Sequence, residues 1–414
     1  MGRVLVQVTL VVALAVEAWG QSPVPPLSRV TLDEAILLAM RENASLRAKE
    51  FEFRATQANE ITAALRPNPT ASYSAEQFGG GSDALVQHTA ILGLPIETGG
   101  KRRRRIESAR AATRVTGFEL ADVRRQVVYL VRKAFTDILI AQASLALAEQ
   151  NLKTLDDVER IQRFRAERGD ISELELLRIQ VQRFAFERDA ADARQALRTG
   201  RIGLRAVTGR ERVTEDVEVV GALSDRELAL ARADLERLAL TNRPDIRAAE
   251  AVRDRARSDH NLARANAWWD FTPQLEYQRI GSDNTIGFGV SMPLRIFDRN
   301  QGEIARTRAE MDRTDALRDA VVIQALTEVN TALSTVATEG QKLRLLRDTY
   351  LPRAQQARDT VEFAYRRGGL SLLDFLDAQR TYRETALEQI RALGNYQTAL
   401  DQLEAAVAAP LPER

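Results

Sequence analysis

Few residues in this chain could do chemistry, and their spacing argues against an active site. The 414 residues include no cysteine, which removes disulfides, thiolate metal sites, cysteine nucleophiles and an acylated amino-terminal cysteine. The two histidines, His88 and His260, fall in unrelated positions, one in a strand pattern and one in a helix pattern. A histidine-based catalytic or metal centre is therefore not expected. With no nucleophile–base pair, phosphate loop or ligand cluster, no cofactor is expected either, and an enzyme is the weakest reading. What is left is charge. Asp374 and Asp377 lie three residues apart, hence on one helix face. They fit a cation-attracting pair or simply a solvated face, and the first half of the chain carries Glu175 and Arg178 at the matching positions. The run Lys101-Arg102-Arg103-Arg104-Arg105 fits a solvated face or a phosphate-rich membrane surface. Over the whole chain 59 basic residues balance 58 acidic ones, so no nucleic-acid footprint exists.

The elements that must carry these residues are long. Aromatic content of 6%, with 22 Gly and 12 Pro, fits extended helical surface better than several compact cores. Residues 1–20 read as a signal peptide: Arg3, an apolar run from Val4 to Val16, then Ala18-Trp19-Gly20 before a cleavage point at Gln21. Glu17 closes that run well short of the roughly 20 residues a spanning helix needs. No later uncharged apolar stretch is long enough, so membrane insertion is expected to be by strands.

The mature chain is one unit written twice. Phe164 to Gln180 and Phe363 to Gln379 agree at seven of seventeen positions at a shift of 199, among them Phe164/Phe363, Arg168/Arg367, Gly169/Gly368 and Ser172/Ser371. Residues 21–220 and 221–414 are the two expected repeats. Each opens with a helix, the first capped by Thr31 with Glu34 three residues on and the second expected to start near Ser224 and Asp225. A proline break and a hairpin follow, at 69–94 and 273–294, with turns at Gly79-Asp83 and Gly281-Thr285. In the second hairpin Leu275, Tyr277, Ile286, Phe288, Val290 and Met292 share one side, while Gln274, Glu276, Gln278, Gly287, Gly289 and Ser291 share the other.

After each hairpin comes a helix pattern 68 residues long, Lys101 to Arg168 and Arg299 to Arg366. Apolar residues at Val131, Ala134, Ile138, Ala141, Leu145, Ala148, Leu152 and Leu155 give the alternating spacing of a coiled-coil seam. Pro352 should interrupt the second helix. The chain reverses at tips near 169 and 368, and antiparallel helices return to about Val207 and Val407. The fold class expected is mainly α with a small membrane β part. Four strands per chain cannot close a barrel in lipid, so chains must share one. Two would give eight strands around a filled interior, whereas three give twelve around an open lumen, which suits the polar hairpin faces.

Several motifs carry a family resemblance over essentially the whole mature chain. Val30-Thr31-Leu32-Asp33-Glu34-Ala35, Leu65-Arg66-Pro67-Asn68-Pro69, the two tips and Leu373-Asp374-Phe375-Leu376-Asp377-Ala378-Gln379 resemble the TolC-like outer membrane factor family. The segments Leu94 to Arg102 and Met292 to Gly302 further resemble its CzcC-type branch, associated with heavy-metal efflux. The resemblance implies a homotrimer in outer-membrane lipid, a twelve-stranded barrel, a periplasmic α-barrel, and a periplasmic adaptor with an inner-membrane pump of the resistance-nodulation-division class. It implies adaptor contact at the tips, Arg168, Gly169, Asp170, Ile171 and Ser172 with Arg367, Gly368, Gly369, Leu370 and Ser371. It also implies a periplasmic gate at Asp374 and Asp377, where three chains would crowd six carboxylates. The function expected is a passive exit duct for divalent metal cations. Alternatives are a duct for drugs or secreted proteins, and a soluble periplasmic coiled-coil scaffold.

Overall fold

The computed structural model describes residues 26–78, 85–227 and 231–411. The expected signal peptide and the Gly79-Asp83 turn lie outside them. In chain order the elements are β1 (Leu27–Thr31), α1 (Leu32–Glu42), α2 (Ala44–Ala64), β2 (Thr70–Glu76), β3 (Gln87–Gly93), α3 (Lys101–Glu167), α4 (Glu173–Thr208) and β4 (Val213–Val220). There follow α5 (Arg232–Asn242), α6 (Pro244–Asn266), β5 (Thr272–Ile280), β6 (Asp283–Ser291), α7 (Gln301–Leu345), α8 (Leu351–Arg366) and α9 (Leu372–Val407).

Helix starts follow local chemistry. Thr31 accepts from the Glu34 N–H while the Glu34 carboxylate accepts from Thr31, a reciprocal cap that fixes α1 as expected. The corresponding helix of the second half begins at Arg232 instead of near Ser224. Ser224 donates its N–H to Gln397 and Asp225 pairs with Arg347, so both residues are engaged across the fold and do not cap a helix. Two kinks between paired helices share one device. Asn43, between α1 and α2, donates to the Val207 carbonyl at 3.0 Å, and Arg243, between α5 and α6, donates to the Ala406 carbonyl at 3.0 Å. Each side chain thereby satisfies an orphan carbonyl in the last turn of a returning helix.

α3 is continuous for 67 residues, about 100 Å at ~1.5 Å per residue. Its partner is interrupted where Pro352 stands. Proline has no N–H for the carbonyl four residues back and crowds it, and the helix widens into a π turn over Leu346–Tyr350 in which the Leu351 N–H reaches Leu346. One stretch within Gln301–Arg366 is long and apolar enough to cross a membrane, with mean hydropathy 1.3. It includes core positions, since Val329, Ala332 and Val336 of α7 pack against Leu403 and Val407 of α9.

Three buried clusters hold the rod together. One joins α1, α3, α4 and β4 around Val131, Ile138 and Leu204. A second joins α5, α7 and α9 around Val329 and Leu403. The third lies toward the tips, where Leu155, Ile179, Phe186, Tyr365, Phe375 and Leu376 bring α3, α4, α8 and α9 together. Leu204 and Leu403 are wholly buried at matching positions, and truncating either to Ala costs ~2–5 kcal/mol. A parallel pairing of β1 with β4 was not foreseen.

Candidate functional site

Four strands form one antiparallel sheet in the order β2-β3-β5-β6, leaving β2 and β6 as open edges. Its register sorts side chains by chemistry. Tyr73 lies opposite Ala90, Ala90 opposite Tyr277, and Tyr277 opposite Ile286; the next rung is Ala71, Leu92, Leu275 and Phe288. This face is apolar and uncovered, with Phe288 87% and Tyr73 69% exposed. The opposite face carries Ser72, Ser74, Thr89, Gln274, Glu276, Gln278, Gly287 and Gly289. The second turn is only Gly281 and Ser282, shorter than the five residues expected, because β6 already pairs from Asp283.

Ile91 and Ile280 are the apolar exceptions on the polar face, and charge is sorted more strictly. Every acid in the four strands, Glu76, Glu276 and Asp283, lies on the polar face; both bases, His88 and Arg279, lie on the apolar one. Tyr73 and Tyr277 share one rung of the apolar face, and Trp268, Trp269 and Phe271 stand just before β5, where the sheet meets the helices. Aromatic belts flanking an apolar band are the arrangement of a sheet that sits in lipid.

The basic run is divided: Lys101 is buried, Arg104 and Arg105 are half-buried, and Arg102 and Arg103 stay exposed. Lys101 is buried and bonds Asp270 at 2.6 Å, while the Thr98 N–H reaches the same carboxylate at 2.8 Å. Burial pushes the Asp270 carboxyl up, but those two hydrogen bonds outweigh it and hold it below the usual carboxylate range. The exit of one hairpin is thus tied to the entry of the other. Arg105 pairs with Glu97 and donates to the carbonyls of Ala63 and Leu65, and Arg102 donates to Ala64, capping α2. Arg103 and Arg104 hold Glu107. Protein groups thus engage all five residues, most fully Lys101 and Arg105, while Arg103 keeps most of its surface in solvent. The Gly99-Gly100 pair before them has a steric cause: Gly99 sits at φ +63° and a Cβ there would stand 2.7 Å from Trp268.

At the far end of the rod the two tips are built alike. Gly169 and Gly368 both adopt φ +78°. In each, the glycine N–H reaches back three residues (Ala166, Tyr365) and the next N–H reaches back five (Arg165, Ala364), closing a Schellman turn. Arg168 lies over Phe164 at 4.0 Å and Arg367 over Phe363 at 4.1 Å. This duplicated stack went unremarked in the sequence, although all four residues belong to the repeat and lie four apart. Asp170, Ser172, Gly369, Leu370 and Ser371 are exposed and Ile171 is half-buried. Behind them Gln162 donates to the Tyr365 hydroxyl inside the shared core, joining α3 to α8.

Asp374 and Asp377 are both exposed near the start of α9. Asp374 accepts from the Ser371 hydroxyl at 2.7 Å and N–H at 3.1 Å, forming a reciprocal cap. Those hydrogen bonds, the hydroxyl's first, hold its carboxyl below the ordinary value. Asp377 accepts from Arg380 at 2.9 Å. Ser172, at the matching tip, makes no side-chain cap. His88 bonds Tyr73, and His260 bonds Thr307 far from it in sequence. Among the described residues no group of three or more His, Asp or Glu could hold a metal ion.

The sequence model of the outer membrane efflux proteins matches residues 35–210 and 235–409. The chain is 29% identical over 395 residues to the cobalt-zinc-cadmium resistance protein CzcC of Cupriavidus metallidurans, covering 94% of this chain and 93% of that one. It is 24% identical over 426 residues to the pyoverdine export outer membrane protein OpmQ of Pseudomonas putida, covering 96% and 87%. The open-state MtrE outer membrane channel of Neisseria gonorrhoeae superposes with a TM-score of 0.76 at 18% identity, over 91% of this chain and 89% of that one, a likeness of fold.

Proposed function

The chain belongs to the outer membrane efflux protein family, and from that premise we propose that it is the passive exit duct of a divalent-metal efflux assembly. As a family member it is an outer-membrane efflux channel with a periplasmic portion, not an enzyme. The finer reading adds three copies. The open edges of β2 and β6 then pair between neighbours, and four strands per chain become a twelve-stranded barrel with no edge left in lipid. The observation that carries the cargo assignment is the sorting of charge in the sheet. With the apolar face in lipid, Glu76, Glu276 and Asp283 line the lumen without a base beside them, a field that draws in cations and repels anions. The likeness to a cobalt-zinc-cadmium resistance protein points the same way.

The duct has no energy source of its own. A pump of the resistance-nodulation-division class in the inner membrane drives transport, and a periplasmic adaptor meets the two glycine tips. Asp374 and Asp377 of three chains then ring the periplasmic mouth. The absence of cysteine argues against tight coordination of soft metals along the path and suits a duct that releases what it carries. Deleting the gene should sensitise cells to zinc, cobalt, cadmium or nickel, with intracellular metal rising on exposure. Sensitivity confined to dyes, detergents, antibiotics or siderophore export overturns the cargo and leaves the channel standing.

A further inference from the structure

The bases on the lipid-facing side of the sheet have no role in the lumen. On that face the rung nearest the turns carries Ala75, His88, Arg279 and Asn284 side by side across the four strands. Tyr73 bonds His88 Nδ1 at 2.7 Å, with the two rings nearly parallel at 21° and 6.1 Å apart. With the phenol donating, the imidazole proton stands on Nε2. Arg279 uses only Nε, donating to the Gly281 carbonyl at 3.1 Å. Its Nη groups meet no acceptor among the described residues, and no acid of the described strands shares their face. Tyr277, one rung inward, donates to Asn284 at 2.6 Å. Arginine in contact with hydrocarbon is costly at the bilayer midplane and nearly free of cost near the interfaces, so this guanidinium belongs at headgroup depth. There it needs an anion from outside the protein.

We propose that His88 and Arg279 form a binding site for the phosphorylated glycolipid headgroup of the outer leaflet, with Tyr73 and Tyr277 stacked along its sugar and upper acyl region. Because the helices lie on the periplasmic side, the turns point outward and this rung meets the outer leaflet. The planar guanidinium presents paired N–H donors to phosphate oxygens, the imidazole Nε2–H adds a third, and the tyrosines supply the amphipathic surface that favours such a boundary. The Arg279 guanidinium, which would otherwise lie against the bilayer without a counter-charge, is thereby neutralised by the phosphate.

The test is native mass spectrometry of the detergent-purified full chain with diphosphoryl lipid A, its dephosphorylated counterpart and inorganic phosphate. Diphosphoryl lipid should bind the parent about tenfold tighter than it binds Arg279→Gln, the worth of one charge-assisted hydrogen bond. Arg279→Lys, which keeps the charge but loses the paired donors, should bind between the parent and Arg279→Gln, and excess inorganic phosphate should not displace the lipid. Equal binding of dephosphorylated lipid, or equal binding by Arg279→Gln, overturns the site. Displacement by inorganic phosphate overturns the lipid as its occupant. The comparison of the two lipids on the parent chain decides the matter even if a variant fails to assemble.

Discussion

Replacing Gly169 and Gly368 with valine tests whether the tips act through their shape. Both residues sit at φ +78° with no heavy atom within 4 Å of where a Cβ would stand, so a side chain there meets open space and the strain is confined to the backbone. Left-handed geometry costs a non-glycine residue ~1–2 kcal/mol, a factor of roughly 5–30 in the population of the native turn. That strain acts on the Schellman turn alone; the core of Leu155, Ile179, Phe375 and Leu376 behind it is untouched. The protein should therefore reach the outer membrane at normal level and extract only in detergent, while metal resistance is lost. Asparagine tolerates this backbone geometry, so the double variant Gly169→Asn/Gly368→Asn separates two causes: it keeps the turns but adds polar side chains to the surface. Lost resistance in both variants identifies the bare surface as the contact, and rescue by asparagine identifies the turn. Full resistance in the double valine variant, at unchanged protein level, refutes the assignment of the tips to the adaptor.

The double variant Asp374→Ala/Asp377→Ala should lose block by multivalent cations in single-channel recordings; block as strong as the parent's removes these residues from the gate. Because Ser371 holds the Asp374 carboxyl low, its cap contributes stability that is present above the unfolded value of ~3.9 and is lost as pH falls through the lower folded value. Protection of the amides in the first turn of α9, taken relative to their intrinsic exchange rate at each pH, should fall in that acid window in the parent, and Ser371→Ala should flatten the dependence. Arg243 is 2% exposed and holds Asp245 at 2.6 Å, Glu328 at 2.7 Å and the Ala406 carbonyl. Arg243→Met should cost about 3 kcal/mol, the lower end of the range for breaking a buried pair because Glu328 is half exposed. Thermal unfolding measures it, and an unshifted midpoint contradicts the buried-pair account.

What could be read from the sequence was local or repeated. Thr31 and Glu34 announce a cap, Gly368 announces a left-handed turn, and Leu275 to Val290 alternate with the strand period; each signal is complete within a few residues. The duplication also showed that Arg168 and Arg367 occupy equivalent places. What could not be read depended on partners far along the chain. β1 pairs with β4 across more than 180 residues, and neither strand has a turn signal pointing to the other. Lys101 to Arg105 look like free charge until Asp270, Glu97 and the end of α2 fold against them. The kinks at Asn43 and Arg243 are set by carbonyls 164 and 163 residues away. The acids of the sheet were legible one by one, but their segregation from His88 and Arg279 emerged only with the register of all four strands.

The most direct test of the central claim is ionic selectivity in planar lipid bilayers, with no pump, adaptor or energy source present. The purified protein should conduct passively, with a reversal potential under a salt gradient that marks preference for cations. Replacing Glu76, Glu276 and Asp283 together by Gln, Gln and Asn should shift that potential toward zero selectivity. An anion-preferring parent channel, or a cation preference unchanged in the triple variant, contradicts the account.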